Sequence, residues 1–425
     1  MERLEELDPE IMELIRAEHT RQNSTLELIA SENHVSIPVL KSLGSVLTDK
    51  YAEGYPSRRW YCGCCEVDKI EQLAIDRAKK LFGAEHANVQ PHSGTTANTA
   101  VYLAALKPGD KIMGMELSHG GHLSHGMNLN ISGILYETAS YGVDRETEML
   151  DMDKIRQQVL KEKPDMLVVG ASAYPRKIDF DAFGSIAREA GCLLLADIAH
   201  IAGIVAAGLH PSPAAADFIT TTNHKTLRGP RGGIILCHKQ WEKKIDTAIF
   251  PGIQGGPLMH SIAAKAVSFL EALQPEFRDY IQAVLDNAKV MARRLMEKGW
   301  RLVSGGTENH LMLVDMKSRL PEVTGEIAAD WLQRANIICN KNVIPFDSGG
   351  PLKPSGLRLG TPAITTRGLD TRESEELADM IDKVLMSRGN ESTISQVKEN
   401  VVALCEQHPV PNHNLEEDWN PVPSL

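Results

Sequence analysis

The chain has 425 residues, 42% of them hydrophobic, enough to bury a large core and to divide into two domains plus an arm. Its 45 basic and 56 acidic side chains leave a net charge of −11, which argues against general binding to nucleic acid or to membrane surfaces. No apolar stretch reaches membrane length, the acidic start MERLEELDPE does not read as a signal or transit peptide, and seven scattered cysteines do not describe a secreted disulfide framework, so a cytoplasmic protein is expected.

Asp8-Pro9 reads as an N-cap and first turn opening a helix from Glu10 to Arg21, within an arm (residues 1–24) suited to pack on a partner. A large domain is expected over residues 25–275. Within it, the stretch from Gln90 to Asn98, QPHSGTTAN, leads into a small-residue helix from Asn98 to Leu106. Free amide groups at a helix start, its dipole and the hydroxyls of Ser93, Thr95 and Thr96 would converge on a phosphate there, although the same residues also make an ordinary N-cap. His119, His122 and His125 have the spacing of ligands on one helical face. The glycines at 120, 121 and 126 argue against a rigid helix, and no carboxylate or cysteine lies close in sequence to complete a set, so no metal is expected.

Cys192 to Asp197, CLLLAD, reads as a central parallel strand with Asp197 at its carboxyl end, where open α/β sheets place their sites; the bland alternative for Asp197 is a helix cap. Thr220 to Gly233, TTTNHKTLRGPRGG, puts Lys225 on a turn between two buried strands. Burial and the nearby His224, Arg228 and Arg231 disfavour the ammonium and favour an amine that can condense with an aldehyde; taken alone, the stretch serves equally as an anion-contacting loop. The chain order of phosphate loop, carboxylate and lysine is the one pyridoxal phosphate needs, because a carboxylate facing the ring nitrogen keeps it protonated. Pro275 and the amphipathic run Phe277 to Lys298 mark passage to a smaller domain (276–407), with strands at Leu311 to Asp315 and Leu357 to Gly360 and helices near Glu326 to Arg334 and Glu373 to Met386. Arg358, on one of those strands, suits a two-pronged grip on an α-carboxylate. The proline-rich tail, 408–425, reads as irregular.

Beyond these single features, long segments resemble the serine hydroxymethyltransferase family: LIASENHVS from Leu28, GSVLTDKYAEGYP from Gly44, LFGAEHANVQPHSG from Leu81, LSHGGHLSHG from Leu117, ADIAHIAG from Ala196, the Lys225 segment, FPGIQGGPLMH from Phe250 and SGLRLGTPAITTRG from Ser355. The resemblance implies an α/β fold-type I pyridoxal phosphate-dependent transferase, with a mostly parallel seven-stranded sheet in the large domain and a smaller C-terminal α+β domain. It implies that Lys225 carries pyridoxal 5'-phosphate covalently, that Asp197 faces the ring nitrogen, that His122 stacks on the ring, and that Ser172 and His200 bracket its O3′ edge. Ser93, Gly94 and Thr95 would bind the phosphate, with His224 and Arg231 completing the surroundings, and Thr222 would join Lys225, Glu53, Tyr61 and His122 in catalysis. Tyr51 and the Gly255–Gly256 pair would reach the phosphate of the neighbouring subunit, so a homodimer or tetramer with shared sites is expected. Ser31 and Arg358 would take the substrate carboxylate, and Glu53 and Tyr61 would approach the substrate hydroxyl from the neighbouring chain, Glu53 as proton shuttle. Leu117, Gly121, Leu123 and Asn342 would contact tetrahydrofolate, the co-substrate that turns serine cleavage into one-carbon transfer.

The departures are local. Asn223 stands where the family usually has a fourth threonine, keeping hydrogen-bonding groups but losing β-branching. Around Tyr61, WYCGCCEV replaces a YYGGCEY-like run, and Pro351 to Pro354 differs from the usual sequence beside the pterin contact. The cluster Cys62, Cys64 and Cys65 stays open between a redox pair, a ligand set and small residues at an interface. Two other readings stand beside the transferase: a folate-independent aldolase on threonine-like or α-substituted β-hydroxy amino acids, and a catalytically silent binding protein. Intact Lys225, Asp197, Glu53 and Arg358 argue against silence.

Overall fold

Short aliphatic runs separated by Gly- and Pro-rich turns build the central sheet, as seen in a computed structural model that describes residues 4–350 and 352–411. Its strands are β1 (His86–Asn88), β2 (Lys111–Met115), β3 (Glu137–Tyr141), β4 (Met166–Val169), β5 (Leu193–Asp197), β6 (Phe218–Thr222) and β7 (Gly233–Cys237). They lie in the order β1-β7-β6-β5-β4-β2-β3. Only β7 runs against the rest, pairing antiparallel with β1 and β6, while the other neighbours are parallel. The fold is therefore the α/β class with a mostly parallel seven-stranded sheet.

Alternation along each strand sends side chains to two separate cores. Leu194 and Ala196 of β5, with Met113 and Leu167, face one helix layer, whereas Leu195, Ile112 and Val168 face the other. Burial on both faces explains why these strands read as continuous apolar runs. The helix that follows the QPHSGTTAN turn spans Gly94–Ala105, starting four residues earlier than expected because Ser93 itself is the cap, its hydroxyl accepting the Thr96 amide at 3.1 Å. The arm helix is also longer than expected, Pro9–Ser24, with Asp8 accepting from the Ile11 amide at 3.0 Å.

A second sheet of four strands orders Arg301–Leu302, Leu311–Asp315, Gly356–Gly360 and Asn340–Asn342 side by side, all antiparallel. The helix Pro275–Glu297 joins the two halves: Phe277, Ile281 and Leu285 enter the core of the large sheet, and Ala288, Met291 and Leu295 that of the small one. One expectation needs correction at its edge. Leu26 and Leu28, placed at the start of the large domain, are fully buried in the small-sheet core, because Leu26–Glu27 pairs in parallel with Ile337–Ile338. Arg367 ties this crossing down by donating to the carbonyls of Gln22, Asn23 and Thr25 on one side and of Cys405 and His408 on the other. The expected irregular tail lies outside the described residues from position 412 onward.

Candidate active site

Strand ends and the loops that follow them converge on one cavity of about 400 Å³. Asp197 ends β5, Thr222 ends β6, and Ser172 follows β4 by three residues, so the parallel topology delivers all three to the same sheet edge. Of the residues expected to touch cofactor or substrate, Ser31, Ser93, Gly94, Thr95, His122, Ser172, Asp197, His200, Thr222, His224, Lys225, Arg231 and Arg358 all line this cavity.

Asp197 receives hydrogen bonds on one carboxylate oxygen from Asn98 Nδ2 and from the His125 ring, each at 2.9 Å, and on the other from the Ala199 amide at 3.1 Å. Burial alone would raise its carboxyl group; the His125 hydrogen bond and charge overcome this and hold it well below the usual carboxylate range. A fixed, ionised carboxylate at the cavity wall suits a protonated ring nitrogen. His122, His125 and Asp197 bring three possible ligand atoms within 4.8 Å of one another, a grouping that the linear spacing of the histidines did not reveal. His119 and His125 end two short 3-10 turns, Leu117–His119 and Leu123–His125, and His122 caps the second, so the three do not share one helical face.

Lys225 is 9% exposed, on the turn between β6 and β7. Burial lowers its ammonium from 10.5 to about 8, Asp197 opposing and Arg358 and Arg231 adding to the effect. Capture of pyridoxal phosphate by cofactor-free protein should therefore accelerate about tenfold per pH unit below 8 and level off above it, as the neutral amine becomes the main form. Stopped-flow absorbance across that range checks this, and a flat profile would remove Lys225 as the reacting amine.

Two of the imidazoles around it, His122 and His200, are held neutral. Burial and then the charge of His125 lower His122 to about 4; its Nδ1 accepts the Ser124 amide, which leaves the ring face available. His200 is pushed well below its usual range by burial and by Lys225, and its ring stacks on His310 with centroids 5.5 Å apart. Arg358 is lowered to about 10 by burial. It donates to Ser172 O at 2.7 Å and Asn340 Oδ1 at 3.1 Å, and no carboxylate among the described residues lies within ion-pair distance of it. A half-buried guanidinium without such a counter-ion is a place for an anionic ligand.

The residues fit pyridoxal phosphate. Thr222 Oγ1 and His224 Nδ1 are buried at the cavity wall without partners among the described residues, ready for a ligand's polar atoms. Gly94 and Thr95 open a helix whose first amides need acceptors, and a Cβ at Gly94 would come within 2.8 Å of Thr222 Cγ2, so the turn packs directly on β6.

Tyr51, Glu53, Tyr61, Gly255 and Gly256 do not line this cavity. They lie with each other: the Tyr51 and Tyr61 rings are 5.0 Å apart, and Cβ atoms at Gly255 and Gly256 would come within 3.3 Å of Glu53 Oε1 and 3.2 Å of Tyr51 Cζ. Tyr51 and Tyr61 are 54% and 46% exposed, facing outward from a single chain. Leu117 and Leu123 are likewise exposed, flanking Gly121, where a Cβ would strike Met115 O at 2.0 Å; Asn342 sits on the small sheet. Cys62 and Cys65 are exposed, whereas Cys64 is buried and donates to Tyr61 O at 3.3 Å; all seven cysteines are free.

Sequence reading missed Asn98, which donates to Asp197 and Ser124 and accepts from Thr220 Oγ1 at 2.6 Å. Its signal was present only as a polar residue within an apolar helix face. Asn223 is buried, and neither of its side-chain polar atoms has a partner among the described residues. Asn223→Thr should raise stability by about 1–2 kcal/mol, since one smaller polar group replaces two unsatisfied ones; thermal unfolding measures it, and a loss of stability would show that Asn223 has a partner in solution. A family model described as serine hydroxymethyltransferase matches residues 4–381.

Proposed function

Because the chain belongs to the serine hydroxymethyltransferase family, whose members are pyridoxal phosphate-dependent one-carbon transferases using tetrahydrofolate, we propose that it interconverts L-serine and tetrahydrofolate with glycine and 5,10-methylenetetrahydrofolate. The observation that carries this reading is Arg358, a half-buried guanidinium with no counter-ion among the described residues, sharing one cavity with Lys225 and Asp197.

In this reading Lys225 holds the cofactor covalently, Ser93, Gly94 and Thr95 take its phosphate, Asp197 faces its ring nitrogen, and His122, Ser172, His200, Thr222, His224 and Arg231 complete its surroundings. When bound, pyridoxal phosphate supplies an electron sink for the bonds to the amino acid's Cα. Arg358, with Ser31, fixes the α-carboxylate and so sets which bond at Cα is held in line for cleavage. Burial keeps His122 and His200 neutral, so they contact the ring without adding charge. The Tyr51, Glu53, Tyr61, Gly255 and Gly256 cluster acts at the neighbouring subunit's cavity, Glu53 moving the proton of the substrate hydroxyl; its outward placement supports an obligate homodimer or a tetramer built on it. Leu117, Gly121, Leu123 and Asn342 hold the pterin. The protein would act in the cytoplasm, in glycine formation; no described helix is long and apolar enough to cross a membrane. Serine cleavage measured with and without tetrahydrofolate tests the reading: a rate stimulated strongly by folate supports it, and equal rates would point to a folate-independent aldolase.

A further inference from the structure

Lys265 lies on the helix Met259–Ala272 among Ile262, Ala264, Ala266 and Phe269, and is only 1% exposed. Its Nζ donates to three backbone carbonyls, Val89 at 2.7 Å, Gly233 at 2.9 Å and Pro91 at 3.1 Å, which is the full capacity of an ammonium. No carboxylate among the described residues is within ion-pair distance. Burial lowers it to about 7, with Glu71 the acidic group opposing. A methionine would fill this apolar helix face at less cost, so packing alone does not account for a lysine here.

The three carbonyls have a common position. Val89 and Pro91 belong to the segment between β1 and the Ser93 turn, and Gly233 starts the strand returning from the Lys225 turn. Gly233 also donates its amide to Pro91 O at 3.0 Å, and a Cβ on it would come within 2.5 Å of Ser93 O. Gly232, at φ +149°, leaves no room for a side chain, since a Cβ there would meet Lys265 Cε at 2.5 Å. From the other side Gln254 holds the same segment, donating to Gln90 O and accepting the His92 amide, both at 3.0 Å.

We propose that Lys265 is a positioning residue for phosphate recognition: by gathering the Val89, Pro91 and Gly233 carbonyls on one side-chain nitrogen, it sets the Ser93–Thr95 turn in the geometry that receives the cofactor's phosphate. The inference rests on the reading of that turn as the phosphate cradle. Lys265 touches neither cofactor nor substrate, and its removal loosens the cradle while leaving Lys225 and Asp197 in place.

The test uses full-length protein stripped of cofactor, with Lys265→Met, and compares the dissociation constants of pyridoxal phosphate and of pyridoxal, which lacks the phosphate. Wild type should prefer the phosphorylated form strongly. The variant should lose at least tenfold in affinity for pyridoxal phosphate while pyridoxal binding stays within about twofold. Equal weakening of both ligands, or an unchanged preference, overturns the inference; no preference in wild type overturns the cradle reading instead. Inorganic phosphate gives a second readout, competing with pyridoxal phosphate in wild type and far less in the variant. Should Lys265→Met not fold, Lys265→Gln, which keeps two donors, replaces it; if neither folds, Lys265 is a core-stabilising group and the inference fails.

Discussion

Lys225→Ala should abolish covalent capture of pyridoxal phosphate and lower serine cleavage by about 10³-fold or more, the scale of losing a positioned nucleophile and base. The expectation follows from placement. Lys225 is the lysine lining the cavity, its amine is brought to about 8 by burial, and the turn that bears it is fixed by the Asn223 amide on Gly232 O and by Asn33 Nδ2 on Lys225 O at 3.0 Å. Removing the side chain leaves that backbone intact, so the protein should fold and still bind the cofactor noncovalently. Borohydride treatment followed by mass analysis checks this directly. If the alanine variant still fixes the cofactor to the chain, another lysine is the true partner.

The second large effect is expected from Arg358→Lys, which should raise the KM for serine by about 10- to 150-fold while changing kcat much less. A guanidinium presents two parallel donors to a carboxylate, and each hydrogen bond to a charged group contributes about 1.5–3 kcal/mol, so losing one costs roughly that range in binding. Arg358 is also steered by its bonds to Ser172 O and Asn340 Oδ1, neither of which a lysine ammonium can keep while reaching the same place. The discriminating measurement pairs serine with 2-aminoethanol, which lacks the carboxylate. The gap between wild type and variant should close for the amine; an equal loss for both would mean that the substitution disturbs the cavity rather than the carboxylate grip.

Sequence periodicity carried the strands well where burial is two-sided, as in Leu193–Asp197, because continuous aliphatic runs have few other uses. It pointed to Asp197, a carboxylate closing an apolar strand, whereas Thr222 and Ser172, which also lie at or just after strand ends, were named only through the family resemblance. What it could not show was closure between distant segments. His125 reaches Asp197 across 72 positions and Lys265 reaches Val89 across 176, and nothing local in either residue encodes its partner. The helix start at Gly94 was misjudged because glycine and two threonines read as a loop, whereas the Ser93 cap and the helix dipole make them a first turn. The pairing of Leu26 with Ile337 was hidden for the same reason of distance.

That last pairing has a consequence for how the protein comes into being. The strand that covers Leu26 and Leu28 is made roughly 300 residues after them. At about 5–20 residues per second the ribosome needs on the order of 15–60 s to deliver it. Through that interval the chain carries an apolar segment whose partner strand does not yet exist, and the core of the small sheet is completed by residues made long before it. Nascent chains halted at residue 330 should therefore leave the segment 25–30 open to protease, and full-length chains should protect it.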